Sequence, residues 1–438
     1  MRTARNPILL LALGSFGLAA VAVLSLALVA TRRATAEAEI ARLLLVRDVV
    51  LNEYVEAIDP DRLTEDAMRG MVESLDGYSR YFSVDEATAV EEETTGRFAG
   101  IGVVHQTVDD GFEVAFPQPG SPAERAVLRP GWRILTVDGL PVVGLSSSEL
   151  SGRIRGPIGS AVRIAVRDGD GAVVERDIVR EVIHDSSVGH VAMLDRERGI
   201  GGLWVASFTE ETAAQFDAAV EELRGQGMRA LVVDLRFNTG GVLSSAADIA
   251  NRFLRAGTIY ETRGRRDPFV CVARPERATL AGIPTVVLVN GESASASEVL
   301  AGALADHRAA AIVGERTYGK GVVQSLKRFE DSRAYLKITT AFYFTPAGRN
   351  LERPREGDPL DERAGGIAPD VLVPLARAQR DVIRDSLSVD YYAVPPAYRE
   401  AVAAIRTGRS APRVPDPQLD AAIGLLRGRR PNDRKIAS

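Results

Sequence analysis

Three serines alternate with small residues in the stretch GESASASE at 291–298. The stretch follows an apolar run at 284–290 that is typical of a strand, and a helical segment is predicted from about 295 to 307. A strand-to-helix turn presents side chains at the carboxyl edge of a sheet, and the amides of a helix start stabilise negative charge. A serine here could act as a nucleophile. The alternative is structural, because Ser295 and Glu298 also fit a helix capping box.

A nucleophilic serine needs a base, and lysine is the better candidate in this chain. None of the histidines has a position in the sequence that brings it close to the serine turn: His105, His184, His190 and His307. Lys320 lies between two glycines in YGKG and is one of only four lysines among 54 basic residues. Lysine can lose its proton when buried, whereas arginine cannot. A phosphate-binding role is disfavoured, because the glycine and Ser/Thr pattern of a P-loop is missing. Gln324 is spaced to orient the amine.

A second strand-to-helix turn has the sequence DLRFNTGG at 234–241. Its paired glycines, Gly240 and Gly241, allow backbone amides to point at an oxyanion. A plain structural turn is an equally good interpretation of this segment alone. The hydrolase motif G-x-S-x-G is absent, so that family is not supported.

The elements around these turns predict an α/β domain. Near-continuous apolar runs at 203–208, 230–236, 284–290 and 310–314 alternate with helical segments, which is typical of a sheet buried on both faces. Short β-type runs separated by Gly, Pro and Asp predict a small β-rich module from about residue 100. Apolar residues at helical spacing predict two helices at 36–77, with Thr64 as a candidate cap of the second.

Composition and the N-terminus narrow the function classes. The chain has 438 residues, 45% hydrophobic and 26% charged, with a net charge of −5, which argues against nucleic acid as the main partner. Its single cysteine, Cys271, excludes an internal disulfide framework and a multi-cysteine metal site. Residues 7–30 carry no charge and are numerous enough to cross a bilayer. We expect a membrane anchor, and a signal segment removed after residues 34–36 is the alternative.

Together these segments resemble the carboxyl-terminal processing peptidases, serine endopeptidases with a Ser-Lys dyad and an embedded PDZ domain. The matching stretches lie at 75–83, 98–104, 120–131, 154–160, 234–241, 290–324, 339–349 and 366–371. The resemblance implies an α/β catalytic domain with a buried mixed sheet and a crotonase/ClpP-like core. It implies Ser295 as nucleophile, Lys320 as base and Gln324 as the residue that orients the lysine. The implied oxyanion donors are the amides of Gly240, Gly241 and Ala296.

The resemblance also assigns the β-rich module to peptide binding. The amides of a glycine-containing loop would receive a terminal carboxylate, and the adjoining strand would pair with the peptide. The loop residues are Gly100, Ile101, Gly102 and Val103. Arg155 is a candidate for coupling peptide docking to the active site. A small β domain that only packs is the alternative.

Three positions depart from the family pattern. Thr239 replaces the proline that usually precedes the paired glycines, which could shift the oxyanion loop. Val127 and Trp132 replace a glycine and an aspartate that are common in a turn of the PDZ domain.

The predicted organisation has five parts: an anchor or signal segment at 1–35, helices at 36–85, a PDZ domain at 86–180, a peptidase domain at 181–375 and a helical, basic tail at 376–438. From residue 403 onward the tail is expected to be solvated, or else to lie at an anionic membrane surface. The expected function is cleavage of exported proteins that present accessible C-termini, in the bacterial cell envelope, without metal or organic cofactor. A homo-oligomer and an adaptor protein are left open. The alternative functions are a catalytically silent PDZ scaffold and an acyl-CoA-type enzyme.

Overall fold

The computed structural model describes residues 33, 35–108, 111–330, 334–354, 365–389, 396–398, 400–402 and 415–428. These residues divide into two compact units between Ser83 and Val84. The anchor predicted at 7–30 lies outside the described residues. Within the parts of the chain that are described, no helix is long and apolar enough to cross a membrane.

The first unit contains α1 (35–53), α2 (Pro60–Glu73) and β1 (Arg80–Phe82). The carboxylate of Asp59 caps α2 by accepting hydrogen bonds from the N–H groups of Asp61 (2.8 Å) and Arg62 (3.4 Å). Pro60 follows as the first helical residue, where its missing N–H costs nothing. The two predicted helices are therefore confirmed. The prediction that Thr64 caps the second is wrong, because its hydroxyl donates to the carbonyl of Pro60 inside the helix (2.8 Å).

The second unit contains the remaining elements. Its first part comprises α3 (Val84–Thr95), β2 (Arg97–Gly100), β3 (Val103–Val108), β4 (Gly111–Pro117), α4 (Pro122–Arg125), β5 (Arg133–Val137), β6 (Leu140–Pro141), α5 (Ser147–Ile154), β7 (Ala161–Arg167), β8 (Val173–Val179) and β9 (Glu181–His184). Its second part comprises β10 (Val188–Asp195), β11 (Ile200–Val205), α6 (Thr212–Gly225), β12 (Ala230–Asp234), α7 (Leu243–Phe253), β13 (Thr258–Gly264), β14 (Phe269–Val272), β15 (Thr285–Val289), α8 (Ala296–Asp306), β16 (Ala311–Gly314), β17 (Val322–Arg328), β18 (Tyr335–Phe344), β19 (Val371–Leu372), α9 (Arg377–Val389) and α10 (Pro417–Gly428).

Strands β3 to β8, with α4 and α5, form a small β module. Its antiparallel sheet has the order β3-β4-β5-β7-β8, and β6 pairs with β5. The core of the module includes Phe112, Ile134, Leu150 and Val162, all buried. The chain enters the module through β2 and leaves it through β9, and these two strands pair antiparallel.

Val127 lies in a turn of this module with φ +61°. Glycine adopts this left-handed conformation without strain, whereas a β-branched residue does not. The departure from glycine noted in the sequence therefore falls on a position whose backbone suits glycine.

The central sheet has six strands in the order β10-β11-β12-β15-β16-β19. Strands β11 to β19 in this order pair in parallel, and β10 joins the edge antiparallel. Every residue of β11, β12, β15 and β16 is buried. This mixed, doubly covered sheet confirms the α/β architecture predicted from the apolar runs. Strands β17, β18, β13 and β14 form a separate antiparallel arrangement in that order.

The two faces of the central sheet have different covers. Residues of α6, α7 and α8 share one buried cluster with one face. On the other face, Ala422 and Ile423 of α10 pack with Ile200, Val232 and Val286. The prediction of a solvated tail is therefore wrong for Pro417–Gly428, because the apolar side of this helix is needed to cover the sheet.

A buried arginine anchors α10 to the sheet. Arg236, which follows β12, is 1% exposed. Its guanidinium donates to Asp234 (Nη2–Oδ2, 2.6 Å) and to both oxygens of Asp416 (2.9 and 2.8 Å). Nη1 also donates to Oε1 of Gln418 (3.2 Å). The start of α10 is thus fixed to the residue that opens the Gly-Gly turn.

We expect Arg236→Met to lower the free energy of unfolding by about 3–5 kcal/mol, because the buried carboxylate of Asp234 and the partly buried carboxylate of Asp416 lose their partner. Urea denaturation measures the loss. Arg163→Met removes an exposed pair with Asp177 and should leave the urea midpoint nearly unchanged. Similar midpoints for the two variants would contradict an anchoring role for Arg236.

Candidate active site

The three alternating serines lie in the turn between β15 and α8, and their environments differ. Ser293 and Ser297 are fully buried. The hydroxyl of Ser293 donates to the carbonyl of Leu235 (2.8 Å), and that of Ser297 donates to the carbonyl of Asn238 (2.9 Å). Ser295 is partly exposed and has φ +57°. The two outer serines thus join the serine turn to the Gly-Gly turn, whereas the strained middle serine reaches the surface.

Glu298, in the first turn of α8, connects the serine turn to residues 317–320, the lysine turn. Its carboxylate accepts hydrogen bonds from the N–H groups of Ser295 (2.8 Å), Gly319 (2.7 Å) and Lys320 (2.8 Å). It also accepts one from the hydroxyl of Thr317 (2.5 Å). The first of these bonds is the glutamate half of the capping box predicted from sequence. The other three extend to a segment about twenty residues away in the chain.

Burial governs the protonation of both titratable groups here. Glu298 is 0% exposed, and burial raises its pKa although its four hydrogen bonds act in the opposite direction. Lys320 is half-buried. Its pKa is lowered, first by burial and then by the charge of Lys337, against the opposing charges of Glu93, Glu352 and Glu298. A lysine in this environment is a stronger candidate for a neutral amine than one in water.

Gln324 lies on β17, four residues after Lys320 and opposite Thr339 of β18. The ladder is irregular between Val323 and Gln324. Lys320 thus lies two residues before the hairpin of β17 and β18, and Gln324 is the third residue of its first strand.

The Gly-Gly turn packs directly on the serine turn. The N–H of Ala294 donates to the carbonyl of Asn238 (3.0 Å). A Cβ on Gly240 would lie 2.8 Å from Cβ of Ser295, and one on Gly241 would lie 2.0 Å from the carbonyl oxygen of Phe208. Both glycines have φ above +100°. No larger residue fits either position without movement of the backbone.

The three candidate oxyanion amides differ in their hydrogen bonding. The N–H groups of Gly241 and Ala296 have no hydrogen-bond partner among the described residues. The N–H of Gly240 donates to Oδ1 of Asn238 (2.8 Å). In this conformation, Gly240 would have to leave Asn238 before it could donate to an oxyanion.

The glycine loop of the β module, residues 100–103, is fixed by hydrogen bonds to its carbonyl groups. The carbonyl of Ile101 accepts from the N–H of Ala123 (2.8 Å), and that of Gly102 accepts from the N–H of Gln118 (2.8 Å). Among the described residues, nothing accepts a hydrogen bond from the N–H of Ile101 or Gly102. Gly100 ends β2 and Val103 begins β3, which pairs with β4. The loop therefore offers amides while its carbonyls are engaged.

Arg155 lies where α5 ends, and it contacts elements outside the β module. Its guanidinium donates to Oε2 of Glu92 on α3 (2.6 Å) and lies 4.2 Å from the ring centroid of Phe98 on β2. Glu91, on the same helix, accepts a hydrogen bond from the hydroxyl of Tyr335 on β18 (2.7 Å). Helix α3 thus contacts both the module and the sheet that follows Lys320.

Comparison with known proteins decides the family. A model of peptidase family S41 matches residues 199–373, and a model of the N-terminal domain of the activating protease CtpB matches residues 22–88. A carboxy-terminal-processing protease of Bartonella bacilliformis is 34% identical over 330 residues, which cover 74% of this chain and 72% of that protein. The chain belongs to the family of carboxy-terminal-processing proteases. The resemblance inferred from its motifs is thereby confirmed.

Two further proteins are similar to this chain over more than two thirds of its length. The carboxy-terminal processing protease CtpA of Bacillus subtilis is 31% identical over 305 residues, 69% of this chain and 65% of that protein. Among solved structures, the photosystem II D1 C-terminal processing protease is 30% identical, with a TM-score of 0.41, over 76% of this chain and 86% of that one. The matches therefore leave parts of both relatives and of this chain unaligned.

The sequence did not predict the hydrogen bonds of Glu298 to residues 317–320 or the hydrogen bond from Gly240 to Asn238. The S-x-x-E spacing predicts only a local cap, and no local pattern relates Glu298 to residues 317–320. A buried glutamate in an otherwise apolar helix is the signal that could have found it, since an unpaired carboxylate is costly there.

We expect Glu298→Gln to lower the free energy of unfolding by about 2–3 kcal/mol, because an amide nitrogen would face N–H donors that now meet an oxygen. Hydrogen exchange of the Gly319 and Lys320 amides should accelerate with it. Glu292→Gln is the matched control on the same turn, because Glu292 is 43% exposed, and its exchange pattern should equal that of the parent. Unchanged exchange at both amides in Glu298→Gln would show that the carboxylate does not hold the lysine turn.

Proposed function

We propose that the chain is a serine endopeptidase in which Ser295 is the nucleophile and Lys320 the general base. The observation that carries the proposal is that the carboxylate of Glu298 accepts hydrogen bonds from two backbone N–H groups. One belongs to Ser295, the partly exposed serine of the serine turn, and the other to Lys320, which is half-buried. The membership of the chain in the carboxy-terminal-processing proteases supports the same conclusion.

The proposed reaction begins with proton transfer from Oγ of Ser295 to the neutral amine of Lys320. The alkoxide adds to the carbonyl carbon of a peptide bond, and the tetrahedral oxyanion accepts hydrogen bonds from the amides of Ala296 and Gly241. Gly240 joins them once its amide leaves Asn238. The Lys320 ammonium protonates the leaving amine as the C–N bond breaks. Water then hydrolyses the acyl-enzyme with Lys320 again as base, and Gln324 orients the amine.

We further propose that the β module, within residues 86–180, is a PDZ domain that binds the C-terminus of the substrate. The unpartnered amides of Ile101 and Gly102 support a carboxylate site, with Gly100 and Val103 as its flanks. Arg155 would couple docking to catalysis through its ion pair with Glu92. The next residue, Glu93, is one of the carboxylates whose charge raises the pKa of Lys320. The peptidase domain proper would then extend over 181–375, with the crotonase/ClpP-like core implied by the resemblance.

The place of action is also a proposal. An anchor or signal segment at 1–35 would put the body in the bacterial cell envelope, outside the cytoplasm, where exported proteins are its substrates. Fractionation of cells that express the full chain separates a retained anchor from a removed signal. A homo-oligomer and an adaptor protein are compatible with this arrangement.

A catalytically silent PDZ scaffold is the alternative function, and the dyad variants decide between the two. We expect Ser295→Ala and Lys320→Arg to fold and to lose cleavage by roughly 10⁴-fold or more, because guanidinium cannot act as a base near neutral pH. Lys327→Arg, the same substitution on β17, is the control and should keep the parent rate. Cleavage of an unfolded protein with an apolar C-terminus, followed by gel electrophoresis, gives the rates.

The same assay predicts a pH dependence with a definite sign. Lys320 is active when neutral, so activity should rise with pH through its lowered pKa and reach a plateau above it. A Lys320→Arg variant that cleaves near the parent rate would overturn the mechanism.

A second test addresses the β module. Replacing the free C-terminal carboxylate of a protein substrate by an amide should reduce kcat/KM by about 10- to 100-fold, because charge-assisted hydrogen bonds to the loop amides are lost. Short peptides that do not reach the loop should be cleaved equally well with either terminus. An equal effect on both substrate types would mean that the module is structural.

A further inference from the structure

The lysines of this chain are concentrated beside the proposed base. Of 54 basic residues only four are lysines, and three of these are Lys320, Lys327 and Lys337. Lys327 and Lys337 lie on the hairpin of β17 and β18, which begins two residues after Lys320. The two side chains therefore offer a comparison of nearby lysines in different orientations.

The register of the hairpin places Lys337 on the face of Gln324. Gln324 lies opposite Thr339, and Leu326 lies opposite Lys337. Residues directly opposite in an antiparallel pair share a face, and so do residues two apart in one strand. Lys337 is thus a diagonal neighbour of Gln324 on one face. Lys327, one residue after Leu326, lies on the other face.

Three carboxylates and one ammonium act on the charge of Lys320. Glu93 of α3, Glu352 after β18 and Glu298 of α8 all favour its protonated form. Lys337 acts in the opposite direction. Lys337 is half-buried, and no carboxylate of the described residues lies within ion-pair distance of its ammonium.

We propose that Lys337 is a positioning residue for the reaction: its ammonium lies on the face of the hairpin that carries Gln324 and helps to keep the Lys320 amine neutral, as a general base must be. The inference rests on the proposed Ser-Lys mechanism. Like charges that share a partly desolvated site cannot both persist without cost, and the group that is more buried loses its proton. Burial of Lys320 acts in the same direction as Lys337, and the charges of the three glutamates oppose both.

The test compares the pH dependence of kcat/KM in the parent, Lys337→Gln, Lys337→Arg and Lys327→Gln, each as the full chain. Removing the charge raises the pKa of Lys320, so less of the amine is neutral at a given pH. We expect the acid limb of Lys337→Gln to move upward by roughly half to one pH unit with an unchanged plateau. Lys337→Arg should restore the parent profile. Lys327→Gln removes one charge from the opposite face and should leave the limb in place.

A second readout does not depend on turnover. In the background of Ser295→Ala, the pH dependence of labelling of Lys320 by an amine-reactive anhydride, followed by mass spectrometry, reports its protonation directly. Lys337→Met provides a second neutral variant in case Lys337→Gln folds poorly. Both variants should shift the labelling curve upward, and Lys327→Gln should not.

The outcomes separate this inference from the proposed function. A Lys320→Arg variant that remains active would overturn the Ser-Lys mechanism and, with it, the role of Lys337. An inactive Lys320→Arg variant together with an unmoved limb and labelling curve in Lys337→Gln would overturn the role of Lys337 alone. A lower plateau without any shift would assign Lys337 a structural role and would contradict the inference equally.

Discussion

The buried carboxylate of Glu298 is the interaction on which the candidate site depends. A carboxylate at 0% exposure is costly, and it persists only where hydrogen bonds replace water. Here three backbone N–H groups and one hydroxyl supply them. The start of α8 adds the favourable end of a helix dipole. An acceptor with this capacity can satisfy donors from two turns at once, and the serine and the lysine are positioned as a consequence.

The Gly-Gly turn adds a third segment to the same assembly. Asn238 uses its carbonyl to accept from Ala294 and Ser297, and its side-chain oxygen to accept from Gly240. The backbone of this turn is therefore fixed on one side by the serine turn. On the other side, the closeness of Phe208 requires a residue without Cβ at Gly241. Close backbone packing of this kind gives amides fixed directions before a substrate arrives, which is the condition for oxyanion stabilisation.

The sequence predicts the parts of this arrangement that local patterns determine. The apolar runs predict the fully buried strands β11, β12, β15 and β16, because a doubly covered sheet needs apolar residues on both faces. The pairing of Glu298 with Thr317, Gly319 and Lys320 has no such pattern, since it depends on how two turns meet in space. The tail was predicted to be solvated for the same reason. Its net charge favours an exposed segment, and the burial of Ala422 and Ile423 depends on a sheet face formed by residues far away in the sequence. Of the three serines, the spacing alone does not select Ser295, and the difference in burial that separates it from Ser293 and Ser297 exists only in the folded chain.

The choice between arginine and lysine follows from the same physics of burial. Burial disfavours the charge of Arg236, yet the carboxylates of Asp234 and Asp416 raise its pKa overall, and a guanidinium keeps its proton in any case. Burial also disfavours the charge of Lys320, but there the carboxylates do not prevail and the pKa falls. An arginine is thus suited to a permanent buried ion pair that anchors α10, and it is unsuited to a position that must exchange a proton. A chain that uses arginine for most of its positive charge therefore gains structural ion pairs without altering protonation. Three of its four lysines lie on or just before the hairpin of β17 and β18, where we propose a change of protonation.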